Sequence, residues 1–164
     1  MEKVFVSINP EKLNKNIFKL VGDEWMLITA GKKDSFNTMT ASWGGMGILW
    51  NKPVAFIFIR PQRYTFQFVN REEVFTLSFF PENKKEILKY CGRVSGKDTD
   101  KVSDCGLSPL YCDHDGIAFE EASLVFVCRK LYFQDLHEPG FTGDELKTIY
   151  PHKDLHRMYI GEIV

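Results

Sequence analysis

Apolar runs broken by turn-forming residues set the rhythm of this chain. Pro53 to Ile59 carries no polar side chain, the pattern of a strand covered on both faces, and it extends to Arg60. Trp25 to Ala30 and Phe36 to Trp43 are extended by pattern and flank a turn at Gly31-Lys32-Lys33-Asp34, which predicts a hairpin. Val74 to Phe80 is a further strand ended by Pro81. Ala118 to Glu120 and Ala122 to Gln134 suggest a long hairpin around a buried Leu124–Cys128, and Arg157 to Val164 is a last strand. Gly44-Gly45-Met46-Gly47 loosens the backbone, Asn51-Lys52-Pro53 turns it, and Leu107 to Gly116 is a loop or weak strand.

Helical spacing is confined to short pieces. Asn9-Pro10-Glu11 supplies a cap, a first-turn proline and an acid, and Leu13, Ile17, Leu20 and Val21 then share one face up to Gly22. Tyr64–Val69, Glu82–Tyr90, Asp98–Gly106 and Asp144–Ile149 are the other short helices. Strands without regular βαβ alternation predict a mainly β chain with short helices, an antiparallel sheet closed into a barrel.

The length of 164 residues suits a single domain spanning 1–164 with its own core. A net charge of −1 gives no electrostatic footprint for nucleic acid, so an oligonucleotide-binding barrel is the weaker alternative. No apolar run reaches membrane-spanning length, and Met1-Glu2-Lys3-Val4-Phe5 opens no leader of signal-peptide type; the expectation is a cytoplasmic protein with no membrane partner. Cys91, Cys105, Cys112 and Cys128 are scattered, as reduced thiols rather than a disulfide framework.

Most familiar motifs fail on spacing. Gly44 to Gly47 is no dinucleotide turn, and Gly92-Arg93-Val94-Ser95-Gly96-Lys97-Asp98 has three residues between its glycines where a P-loop needs four. Its Ser95 and Lys97 either face an anion or sit in a solvated connection. His152 and His156 lack the companions of a metal site, Cys112 to Gly116 reads as a turn, and no Gly-x-Ser-x-Gly elbow is present. No catalytic acid, base or nucleophile and no metal ligand set emerges. Two segments remain. Asn37-Thr38-Met39-Thr40-Ala41-Ser42-Trp43-Gly44-Gly45 is dense in hydroxyls and glycines, and Arg60-Pro61-Gln62-Arg63-Tyr64-Thr65 carries donors suited to a phosphate or carboxylate. By residue type they fit a flat ligand with an anionic tail, or equally a hydroxyl-rich edge strand with a surface arginine pair.

Their order along the chain carries a resemblance. Asn37 to Gly44, Lys52-Pro53, Arg60 to Thr65, Tyr90 to Asp98 with Asp100-Lys101, Gly106-Leu107 and the closing Tyr159-Ile160-Gly161-Glu162-Ile163-Val164 together resemble the flavin reductase-like family of FMN-binding split barrels, nearest its flavoredoxin-type branch. The resemblance implies a six-stranded antiparallel split β-barrel, a homodimer, and FMN near the subunit interface. Carried over, Asn37, Thr38, Met39, Thr40, Ala41, Ser42 and Trp43 would line the flavin ring and ribityl chain. Arg60, Tyr64 and Thr65 would hold the phosphate, followed by Ser95 and Lys97. Arg63 ranks below Arg60, because adjacent arginines rarely both face one ligand. Electrons would pass from NADH, NADPH or another donor through the flavin to free flavin, ferric iron or a redox protein. The Gly-Asp-His motif that helps place the nicotinamide in related reductases is not present in that form. This leaves an FMN-binding electron carrier without NAD(P)H oxidation as the alternative.

Overall fold

The computed structural model describes residues 4–164; the leader reading at Met1 to Lys3 lies outside them. The predicted first helix is two pieces. Asn9 caps a single 3-10 turn, Pro10–Lys12, by accepting from the Glu11 amide, and Leu13 then leaves helical geometry. Asn16 caps again, accepting from the Lys19 amide, and starts α1 (Ile17–Lys19), which widens into a π turn over Leu20–Glu24. A second Asx cap seven residues after the first interrupts what apolar spacing alone would make continuous.

β1 (Met26–Lys32) and β2 (Ser35–Ala41) form the expected hairpin, with Lys33-Asp34 as its two-residue loop. β3 (Gly44–Leu49) pairs with β4 (Lys52–Ile59), so the glycine-rich stretch is a strand and not a loosened loop. Its turn is Trp50-Asn51, both at positive φ (51° and 58°), as a type I′ loop requires; the turn expected at Asn51 to Pro53 is displaced by one residue. There follow α2 (Thr65–Arg71), β5 (Val74–Phe79), α3 (Lys85–Arg93) and α4 (Lys101–Asp104). β6 (Pro109–Tyr111) pairs with β7 (Ile117–Phe119) in a separate ribbon. β8 (Leu124–Asp135) is one long strand with a bulge between Lys130 and Tyr132. The predicted Ala118–Gln134 hairpin therefore does not form: β7 turns back to β6, and β8 pairs with β5 and β9. α5 (Glu145–Thr148) and β9 (Arg157–Ile163) complete the chain.

The main sheet has seven antiparallel strands in the order β2-β1-β5-β8-β9-β4-β3, one more than the six expected, and the class is unchanged. Its two edges, β2 and β3, are consecutive in sequence and joined only by Ser42-Trp43. Three Cα steps span at most about 11 Å, so the sheet must curl until its edges meet at this seam, a split barrel. Inside lie Ile28, Ile57, Ile59, Phe75, Leu77, Phe126 and Tyr159, with Phe68 and Val69 of α2 packed against them. A second cluster on the outer face, including Leu27, Phe80, Leu88 and Phe119, fixes α3 and the β6–β7 ribbon on the sheet. Among the described residues no helix is long and apolar enough to cross a membrane.

Candidate functional site

The seam is where the chain's chemistry collects. Alternation along β2 divides its residues between two environments. Met39, opposite Ile28, faces the barrel interior, whereas Thr38, opposite Thr29, lies on the outer face, its hydroxyl 2.9 Å from that of Thr29 and donating to the Ile28 carbonyl. Thr40 donates to the Leu88 carbonyl and so ties β2 to α3. Met39, Thr40 and Ala41, then Ser42 and Trp43, line one wall of a cavity of about 240 Å³. Its other walls come from Phe58, Arg60, Arg63, Gly92 and His156. A neighbouring cavity of about 210 Å³ shares Met39 and Arg63 with it and adds Asn37, Tyr64, Thr65, Ser95 and Lys101 among others. The two together form a trough along the seam, wide and aromatic at one end and cationic at the other. Lys97 lines an adjoining groove of about 360 Å³ with Asp98 and Asp100, which shares Asn37, Gly96 and Lys101 with the second cavity.

A turn closed by the Arg63 amide on the Arg60 carbonyl (3.0 Å), with Pro61 at its second position, sends the two arginines different ways. Arg60 is engaged by protein: it donates to Asp154 at 2.5 Å and to the Ile149 carbonyl at 3.2 Å, and it lies over the Tyr150 ring. Arg63 has only the Gly92 carbonyl, at 3.4 and 3.5 Å, and no carboxylate among the described residues. Both arginines line the first cavity, and Arg63 is the one without a carboxylate partner among the described residues.

Lys101 is the residue missing from the sequence-based candidates, although Asp100-Lys101 belongs to the pattern that carried the resemblance. It is 4% exposed, and its ammonium donates to the carbonyls of Thr38 (2.8 Å) and Cys91 (3.0 Å) without a carboxylate partner among the described residues. Burial, with Arg63 nearby, lowers its pKa to about 8. Two half-desolvated cations without a counter-charge are costly unless an anion joins them. Asn37 closes the floor here: its amide donates to Thr65 Oγ1 at 2.8 Å, and its carbonyl rests on Gly96, where a Cβ would collide.

His156 is the second residue missed. It is 8% exposed, its ring lies against Trp43 at 5.3 Å, and its Nδ1 is 2.6 Å from the Tyr150 hydroxyl. Burial, reinforced by Arg60, lowers its pKa to about 4, so it is neutral at physiological pH. The burial of both residues comes from distant elements, which local sequence does not show. Among the described residues no group of three His, Cys, Asp or Glu is placed to hold a metal. The trough can hold a planar ring between apolar walls, with hydroxyls and amides along its length and an anion at Arg63 and Lys101.

Comparison with known proteins agrees with the fold. A family model described as the flavin reductase like domain matches residues 19–164. Among solved structures, the flavoredoxin of Methanosarcina acetivorans superposes with a TM-score of 0.67 at 20% identity, over 99% of this chain and 74% of that one. An FMN-binding protein from Thermus thermophilus with bound 1-cyclohex-2-enone gives 0.68 at 18%, over 99% and 78%. An NADH:FAD oxidoreductase of Streptomyces globisporus C-1027 gives 0.64 at 13%, over 87% and 75%. No curated protein matches the sequence.

Proposed function

The chain belongs to the flavin reductase-like family, and from that premise we propose that it is an FMN-dependent oxidoreductase whose cofactor lies along the seam trough. The observation that carries this is the pair of half-buried Arg63 and buried Lys101, neither with a carboxylate partner among the described residues, at the end of a cavity walled by Trp43, Phe58 and His156. A phosphomonoester carries about −1.5 to −2 charges at neutral pH and answers that pair. Met39 to Trp43 would line the ring and ribityl chain, while Arg63, Tyr64, Thr65 and Ser95 with Lys101 would hold the phosphate. Asn37 would brace the phosphate end through Thr65, and Arg60 would shape the ring end through Asp154 and Tyr150. Thr38 would serve through its backbone, as the anchor of Lys101. Bound flavin supplies the hydride and electron transfer; the protein positions it, excludes water and presents a neutral imidazole.

The donor we propose is NADH or NADPH, and the acceptor free flavin, ferric iron or a redox protein. His156 on the cavity wall supports direct use of a nicotinamide, because it provides the histidine that the linear motif lacked. The purified protein should bind FMN at about one per chain. Anaerobic addition of NADH or NADPH should bleach the flavin absorbance. Bound FMN that neither nucleotide reduces would establish the electron-carrier reading instead, and failure to take up FMN would remove both.

We further propose a homodimer formed through the β3 edge. Trp43, Ile48 and Trp50 are 49%, 67% and 59% exposed on or beside this strand, and α1, with Phe18 exposed, packs next to it. An apolar edge of this kind is a liability unless it is covered. Light scattering should give twice the chain mass, and Trp50→Lys should shift it toward the monomer; a monomeric wild type would overturn the assignment.

A further inference from the structure

We propose that Tyr150 is a positioning residue that locks His156 as the Nε2–H tautomer, so that a neutral N–H donor points into the trough and selects a ligand with a hydrogen-bond acceptor there. The argument begins with proton accounting at the 2.6 Å contact between the Tyr150 hydroxyl and His156 Nδ1. Tyr150 is 6% exposed, and Nδ1 is the acceptor within reach of its O–H among the described residues. Were Nδ1 protonated and donating, the buried phenol proton would be left without an acceptor, a cost that native interiors avoid. A neutral imidazole that accepts at Nδ1 carries its proton at Nε2.

Nε2 has no protein partner among the described residues, yet it is not among the buried polar atoms sealed without one. With Nδ1 bound behind it and Trp43 and Phe58 on its flanks, the ring's free edge opens on the trough that it lines. Tyr150 is itself held: its ring carries the Arg60 guanidinium and meets Phe141 edge-on. Through Arg60 the chain of contacts reaches Asp154, whose carboxylate also accepts from Gln62. A planar ligand edge bearing a carbonyl or ring nitrogen, such as the pyrimidine portion of a flavin or a nicotinamide carboxamide, has the matching chemistry. The tautomer assignment does not depend on the FMN reading; the choice of ligand does.

The test uses nitrogen-15 correlation spectra of the histidine rings in the whole protein, with and without FMN. Wild-type His156 should show an unprotonated Nδ1 and a protonated Nε2 across neutral pH, already without FMN. Tyr150→Phe should shift it toward a mixture of tautomers and weaken FMN binding about threefold to tenfold, the scale of one hydrogen bond. In a His156→Gln background, where the side-chain amide keeps a donor at the Nε2 position and needs no partner at Nδ1, Tyr150→Phe should change FMN affinity no further. A wild-type ring protonated at Nδ1, or a tautomer unmoved by Tyr150→Phe, would overturn the proposal. FMN failing to bind the wild type while the tautomer shift is seen would overturn the ligand assignment alone.

Discussion

Arg63→Ala is expected to weaken FMN binding about 10- to 100-fold, which corresponds to the ~1.5–3 kcal/mol of a charge-assisted hydrogen bond. Arg63 sits where the two halves of the trough meet, and its own bonds to the Gly92 carbonyl, at 3.4 and 3.5 Å, are at the long limit of the interaction. Its donors are therefore free for a ligand. Arg60→Ala should affect FMN affinity far less and stability more, since it leaves Asp154, one of whose oxygens is already buried without a partner, with only Gln62. Titration calorimetry on both variants decides the order, and a larger loss from Arg60→Ala would return the phosphate to that residue. Lys101 adds a pH signature. Its ammonium favours the phosphate, and its pKa in the free protein is about 8, so affinity should hold just below that pH and fall as the pH rises through it. Lys101→Met should remove this alkaline fall.

Gly31→Ala should cost about 3–4 kcal/mol of stability, combining backbone strain with overpacking. Gly31 has a φ of 135°, a conformation that L side chains rarely adopt, and a Cβ there would run into the Ser35 carbonyl and the Phe36 backbone across the β1–β2 hairpin. For a chain of this size the loss corresponds to a drop of roughly 6–16 °C in Tm, measurable by calorimetry. An unchanged Tm would mean that the hairpin can open at this position. Because β2 forms one wall of the trough, FMN should recover part of the loss in proportion to its occupancy.

The apolar strands were legible in sequence because they are long and bounded by turn residues; β1, β4, β5 and β9 lie within one or two residues of their expected positions. β3 was not, since three of its first four residues are glycine, which carries no strand preference; Phe56, whose ring fills the space above Gly45, is what makes the small residue suit the strand. The β7–β8 hairpin was misread because an apolar run does not say which neighbour it pairs with. Along Asn37 to Trp43 the hydroxyl pattern said nothing of partners: Thr38 and Thr40 donate to the Ile28 and Leu88 carbonyls. The choice between Arg60 and Arg63 depended on one turn, and the burial of Lys101 depended on the Thr38 and Cys91 carbonyls it reaches across the fold. Such facts reside in tertiary packing and leave no local trace.

The position of β9 bears on how the protein is made. β4 pairs with β9 from Val54–Glu162 to Ile59–Arg157, and β8 pairs with the other side of the same strand. About a hundred residues must therefore be synthesised after β4 before its partner exists, on the order of 5–20 s at typical elongation rates. Throughout that interval the Val54–Ile59 backbone presents an open, apolar pairing edge to every neighbouring nascent chain. Slowed translation downstream of β4 is therefore expected to lower the yield of native protein even when no residue has been changed, as the soluble fraction after expression would show.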